Sequence, residues 1–228
     1  MDRPHASSII AADELALLRE AFGCDDVLAV TISGLGRADD YARGQRLYPV
    51  AEAELTTLLL AGRAVEVAYG RDGTAVVLCT IAPGELFGSM LAAGADEAGT
   101  IVEAGEVSRG RQFAAATILR LMESYNCVAI AVIRQLAARL GLMRRRMVET
   151  VLLSATGRIC AELDRQSRAA ANQTIHPVPV FSELATVVQS TRETVSRTIS
   201  LLEKRGILLR EDGGLRVVAP HRLAEMIL

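Results

Sequence analysis

The apolar positions change their period twice along the chain, and the changes divide it. In residues 12–22, ADELALLREAF, Leu15, Leu18 and Phe22 fall at helical spacing behind Asp13 and Glu14, which predicts a short amphipathic helix. From about 27 to 107 the texture becomes short β-type runs, VLAVTI, GQRLYPV, ELTTLLLAG, RAVEVAYG, TAVVLCTIAPG and LFGSM, with glycines recurring among them. Evenly spaced short strands with turn signals predict an all-β sandwich or roll. The sequence RDG at 71–73 is the best local hairpin signal there, because Asp-Gly accepts the positive φ of a tight turn.

Residues 112–124 read as helix, and from Ser124 to Leu153 a single helical pattern runs without proline and with Gly141 alone as glycine. Ala129, Ile133, Leu136, Leu140, Met143 and Met147 alternate steps of four and three, the seam of two packed helices. Such a seam asks for a partner, and a second copy of the chain supplies one; packing on the chain's own β domain is the plainer alternative. Arg134, Arg139, Arg144, Arg145 and Arg146 lie on the other faces and read as a solvated surface.

A further helix over 156–171 runs out into the loop AAANQTIHPVPV. SELATVVQ (182–189) then predicts a helix with Ser182 at its N-cap. The stretch QSTRETVSRTISLLEKRG (189–206) predicts a second, with Val195, Ile199 and Leu202 as its buried stripe, and ILLREDGGLRVV places two β-type runs around an Asp-Gly-Gly turn. Helix, short turn, helix, hairpin is a winged helix-turn-helix. The predicted class is α+β: an all-β domain over 1–123, a long helix with a pairing seam over 124–154 and a winged unit over 155–228.

Composition fits this division. The chain has 228 residues, 50% hydrophobic and 23% charged, as expected of one large or two ordinary globular domains. The net charge of −2 hides an asymmetry: residues 1–149 hold 15 Lys+Arg against 19 Asp+Glu, whereas 150–228 hold 10 against 8. The winged end is the mildly basic one, as a nucleic-acid reader requires. Cys24, Cys79, Cys127 and Cys160 lie far apart without a C-x-x-C pair, so each reads as a small buried apolar residue and not as a zinc ligand or half of a disulfide. Uninterrupted apolar stretches such as 127–133 fall far below the roughly 20 residues needed to cross a bilayer. The first residues lack a signal-peptide layout, and a reducing cytoplasmic location is the default expectation, with no membrane as partner.

The polar face of 189–206 carries the candidate chemistry. A recognition helix sets its N-terminal turns against base edges and its apolar face against its own domain. Arg can bond two acceptors of guanine, Glu can accept from the cytosine amino group, and Ser or Thr can reach bases or phosphates. Arg192, Glu193, Ser196 and Arg197 stand on that face; an ordinary ion pair between Glu193 and Arg197, one turn apart, is the competing reading.

TRETVSRTISLLEKRGIL resembles the recognition helix and first wing strand of the Crp/Fnr family of bacterial transcription regulators, satisfying both the R-E-T-V-x-R of its cyclic-AMP branch and the E-T-x-S-R of its oxygen-sensing branch. ATGRICAEL (155–163) is similar to the family's hinge, the heptad helix to its dimerisation helix, and APGELFGSM (82–90) to the glycine-rich turn of its effector domain. The resemblance implies an antiparallel, jelly-roll-like β-roll as sensor domain over 1–123, a dimerisation helix over 124–154, and a homodimer reading a palindrome of TGTGA- or TTGA-like half-sites in double-stranded DNA and acting through RNA polymerase. It implies base contacts from Arg192, Glu193 and Arg197, a base or phosphate contact from Ser196, and phosphate contacts from Thr191 and Ser182. Ile133, Leu136, Leu140, Met143 and Met147 would form the dimer interface, and Gly84, Glu85, Gly88 and Ser89 the effector pocket. Two positions depart from the family pattern: Gln189 stands where the turn often has glycine, and Phe181 where a polar residue is frequent.

The effector end departs further. Cyclic-nucleotide members hold the phosphate with an Arg-Ser or Arg-Thr pair, yet no arginine occurs between Arg71 and Arg109, and ADEAGTIVEAGE fills that segment. Met143 and Arg144 replace the polar pair that reads adenine in the cyclic-AMP branch. Tight cyclic-AMP binding is therefore not expected unless Arg109 or Arg111 reaches in. An iron–sulfur cluster would need grouped N-terminal cysteines, and Cys24 is there alone. Haem would need an axial ligand, for which His5 and Cys79 are poor candidates; the cofactor stays open. PGELFG lacks the G-K-[ST] of a phosphate loop, and His5, His176 and His221 assemble no catalytic constellation, so an enzyme is not expected. The alternative function is a small-molecule-binding module whose winged helix mediates protein contact.

Overall fold

The computed structural model describes residues 12–48, 54–70, 75–89 and 100–227. The chain forms two compact units, one of residues 1–74 with Leu78–Gly141, the other of Ala75–Val77 with Leu142–Leu228. The hairpin expected at 71–73 lies outside the described residues.

The first unit opens with α1 (Ala12–Phe22), which buries Leu18 and Phe22 as its pattern predicts. VLAVTI, expected as a strand, is instead the body of helix α2 (Asp26–Leu35). Asp25 caps that helix, its Oδ1 accepting from Leu28 N at 2.9 Å. Leu28, Ala29, Ile32 and Ser33 are buried at helical spacing, so packing against the neighbouring elements overrides the β preference of Val27, Val30, Thr31 and Ile32.

Among the described residues eight strands follow: β1 (Arg37–Tyr41), β2 (Arg46–Tyr48), β3 (Leu55–Ala61), β4 (Ala64–Tyr69), β5 (Ala75–Ile81), β6 (Leu86–Gly88), β7 (Thr100–Ala104) and β8 (Ser108–Ala114). They form two four-stranded sheets, ordered β1-β8-β3-β6 and β2-β7-β4-β5. The alternation along β3 serves both sides of its sheet: Leu58 joins the core with Leu18, Phe22, Ile32 and Ile118, while Leu59 joins the core between the sheets with Leu47, Cys79, Ile81 and Phe87. The segment 112–124, expected as helix throughout, begins as the end of β8 and becomes helix α3 (Ala115–Ser124) only after Ala114. Tyr125 is extended, and α4 (Asn126–Leu152) starts directly after it.

The second unit holds the end of α4, then α5 (Ala155–Ala169), β9 (Thr174–Ile175), α6 (Phe181–Val187), α7 (Arg192–Lys204), β10 (Leu208–Glu211), β11 (Gly214–Val217) and α8 (Pro220–Glu225). The expected Asp-Gly-Gly hairpin forms, with φ of 44° at Asp212 and 77° at Gly213, the positive pair a two-residue hairpin turn requires. β9 adds a third strand to it, pairing with β11. Ile159, Leu163, Leu184, Val195, Ile199, Leu202, Leu208, Leu215 and Leu223 close one core.

Candidate nucleic-acid interface

Thr191 is the N-cap of α7, its Oγ1 accepting from Thr194 N at 3.1 Å. Val195, Thr198, Ile199 and Leu202 form the helix's buried side, the predicted stripe with Thr198 added. The opposite face presents Arg192, Glu193 and Arg197 to solvent, with Ser196 half-buried between them. Among the described residues, Arg192, Glu193 and Ser196 have no side-chain hydrogen bond or ion pair, and Glu193 does not bridge to Arg197. Arg197 reaches only Thr194 Oγ1, at 3.5 Å. Charged groups left without partners on a helix whose other side is fully buried keep their hydrogen-bonding capacity for a ligand. Thr191, Arg192, Glu193, Ser196, Arg197 and Phe181 together line an open cavity of about 830 Å³.

Ser182 is not an N-cap. It is the second residue of α6, whose N-cap is Val180, and no side chain caps that helix. Ser182 is exposed, and its carbonyl accepts from Thr186 Oγ1 at 3.0 Å.

The turn from α6 into α7 is fixed from α5. Gln189 has φ of 52°, a left-handed conformation that costs a non-glycine residue roughly 1–2 kcal/mol. Arg158 holds that turn: Nε donates to Val188 O at 2.8 Å, Nη2 to Gln189 O at 2.9 Å and Nη1 to Leu153 O at 3.0 Å. The guanidinium thus satisfies carbonyls at the ends of both α6 and α4. Arg165 adds a second tie within this unit, bonding Glu149 at 2.7 Å and also Glu162. Nothing in the periodicity singles out these two arginines; ATGRICAEL sets Arg158 among small and apolar residues, and Arg165 lies beyond that stretch.

Along α4 the seam residues are exposed: Ile133 by 59%, Leu136 by 42%, Leu140 by 68%, Met143 by 41% and Met147 by 71%. The face that packs on the β-roll is a different one, with Val128 and Val132 buried and polar groups beyond them. Gln135 donates to Gly84 O at 2.9 Å and accepts from Leu86 N at 3.0 Å, and Arg139, half-buried where a solvated residue was expected, donates to Leu86 O. By length and composition α4 could also cross a membrane, but Arg134, Arg139 and Arg144–Arg146 interrupt it, and each charge near a bilayer centre costs about 2.5–3.5 kcal/mol.

The four effector-pocket candidates lie at the two ends of β6, Gly84 and Glu85 before it and Gly88 and Ser89 at its close. Gly84 N donates to Leu59 O at 2.8 Å, and Glu85 spends its carboxylate on Ala82 N, also at 2.8 Å. Gly88 has φ of 115°, and a Cβ there would collide with the Leu55 carbonyl oxygen; Ser89 N donates to that same oxygen at 2.9 Å. Arg109 is bound to Asp40 at 2.8 Å, and Arg111 is buried against Glu14, Ser33 O and Gly36 O. Arg111 is thus committed within the protein, while Arg109 holds an exposed surface pair. Cys79 is buried in the roll with its Sγ donating to Glu66 Oε2 at 3.0 Å, and burial, reinforced by that carboxylate, pushes its thiol up to about 12, a poor state for a metal ligand. Among the described residues no group of His, Cys, Asp and Glu is arranged to hold a metal ion.

Comparison with known proteins agrees with this geometry. Residues 157–226 match the model of the Crp-like helix-turn-helix domain. Among solved structures, a double mutant of CooA from Carboxydothermus hydrogenoformans superposes with a TM-score of 0.80 at 18% identity, covering 92% of this chain and 95% of that one. FixK2 from Bradyrhizobium japonicum gives 0.69 at 20% identity over 84% and 96%, and the c-di-GMP-responsive global regulator CLP from Xanthomonas campestris 0.70 at 20% over 86% and 100%. At these identities the likeness is one of fold. A search of curated proteins finds no significant match.

Proposed function

We propose, for a chain that is of the Crp/Fnr type in its fold and in its helix-turn-helix domain, that it acts as a homodimer binding a palindromic DNA site of TGTGA- or TTGA-like half-sites. One observation carries the reading: Arg192, Glu193, Ser196 and Arg197 share one uncommitted face on the helix that a Crp-like domain sets into the major groove. Arg192 and Arg197 supply forked donors for guanine, and Glu193 an acceptor for a cytosine amino group. Thr191 accepts from Thr194 N at its cap and its hydroxyl also meets Thr194 Oγ1 at 2.9 Å, which places it at the N-terminus of α7 for a phosphate contact; Ser182, which caps nothing, offers its hydroxyl to a phosphate from the exposed edge of α6.

The exposed seam of α4 supports the dimer. Ile133, Leu136, Leu140, Met143 and Met147 of one copy facing those of another would cover apolar surface that a lone chain leaves in water. Two-fold symmetry then spaces the two α7 helices for successive major grooves. The protein would work where the DNA is, in the cytoplasm, and alter transcription through RNA polymerase. Its effector, at the two ends of β6 marked by Gly84, Glu85, Gly88 and Ser89, is something other than cyclic AMP, because no arginine stands between Arg71 and Arg109 and Arg111 is buried in its pair with Glu14. Selection from a random duplex library with the full chain tests the reading: a palindrome should emerge, and a flat sequence preference would overturn it.

A further inference from the structure

We propose that Phe181 is a specificity-determining residue of this interface and reads the C5-methyl group of a thymine. The inference rests on the DNA-binding reading of α7 and extends it to a residue of α6. Phe181 occupies the first position of α6, at a helix start where Ser, Thr, Asp or Asn would ordinarily cap; instead Val180, 55% exposed, precedes it and no side chain caps. Two apolar residues therefore stand at the rim of an otherwise polar surface.

The ring is fixed on both sides. Phe181 packs against the core of the winged unit, and it lines the cavity shared with Thr191, Arg192, Glu193, Ser196 and Arg197. From the wing, the guanidinium carbon of Arg210 lies 5.8 Å from the ring centroid, a cation–π distance, and Arg210 Nε is itself held by Glu203 Oε1 at 2.6 Å. A ring held this way cannot donate to phosphate or bond to base nitrogens and oxygens. The apolar feature of the major-groove floor is the thymine methyl, and phenylalanine is among the side chains that contact it. The division of labour follows: the charged residues of α7 read polar base edges, and Phe181 separates thymine from cytosine beside them.

The test uses the selected palindrome and the full-length protein. Each thymine of one half-site is replaced in turn by deoxyuridine, which removes the methyl alone, and affinity is measured by fluorescence anisotropy for the wild type and for Phe181→Ala. One position should weaken wild-type binding by about fourfold, the worth of one buried methyl, and Phe181→Ala should bind thymine and uridine there alike while keeping its sensitivity elsewhere. Phe181→Leu, which keeps apolar bulk, should retain part of the discrimination. A uridine scan flat at every position overturns the proposal from wild-type data alone, as does undiminished discrimination in Phe181→Ala. Failure to select any sequence would instead overturn the DNA-binding reading, and this proposal with it.

Discussion

Arg111 donates from Nε to Glu14 Oε1 at 2.6 Å, with the two side chains only 9% and 13% exposed. The pair ties α1 to β8, and the same guanidinium satisfies the carbonyls of Ser33 and Gly36 near the end of α2. An arginine engaged in this way cannot also neutralise a bound phosphate. Calorimetric titration with cyclic AMP should give no saturable heat up to millimolar concentrations; a micromolar Kd would show that the network opens. Glu14→Ala should lower stability by about 3–5 kcal/mol in urea denaturation, since it leaves a buried charge without its partner.

On α7, Arg192→Ala and Arg197→Ala should each weaken binding to the selected palindrome by roughly 5- to 150-fold, the equivalent of about 1–3 kcal/mol. Each should also relax sequence preference at one position per half-site. Because both side chains are exposed and lack ionic partners among the described residues, thermal stability should hardly change. Lost folding would count against the assignment.

The seam on α4 predicts that Leu140→Glu yields a monomer in sedimentation experiments. Leu140 is 68% exposed in the single chain, so the substitution leaves the fold of the protomer intact while placing like charges opposite each other in a dimer. Affinity for the full palindrome should fall to that of a half-site. A variant that stays dimeric would move the interface elsewhere.

Gly88→Ala should destabilise the β-roll by several kcal/mol, because a side chain is strained at φ of 115° and the new methyl collides with Leu55. Thermal unfolding of the variant measures the loss.

Cys79 gives the chain an alkaline limit. Its folded pKa of about 12 stands above the ordinary thiol value of 9.0, so the folded state holds the proton more tightly. The resulting stability is complete below about pH 9 and is lost as pH rises from there toward 12, by up to about 1.4 kcal/mol per pH unit. Urea midpoints measured from pH 8 to 11 should show this slope, and Cys79→Val should reduce it to the part that buried Cys160, raised to about 11, contributes.

How much of this was legible in the sequence depends on the kind of residue. The stripe of Val195, Ile199 and Leu202, the Asp-Gly-Gly hairpin and the α4 seam are periodic or turn-specific signals, and the structure places each where its spacing puts it. β1 and β8 were not legible, because RADDY and SRGRQFA carry charge where alternation of apolar residues would mark a strand; their arginines and aspartates pair across the sheet and toward α1 and α2. VLAVTI read as a strand because β-branched residues dominate it, and only the Asp25 cap and the burial of one helical face make it α2. On α7 the spacing placed Arg192, Glu193 and Arg197 on the exposed face, whereas at α6 it misread Ser182 as a cap, a position held by Val180.

By itself the sequence determined which faces are apolar and which residues of α7 can bond to base edges, since period and side-chain chemistry are local properties. The tertiary structure alone decided what those groups are free to do. It placed Arg109 and Arg111 in ion pairs, closed Arg158 over the α6 turn and left Arg192 and Glu193 uncommitted. It also brought Phe181 of α6 and Arg210 of β10 together at the edge of α7. Hydrogen-bonding capacity is a property of a residue, but whether it is already spent depends on which distant segments the fold brings within reach.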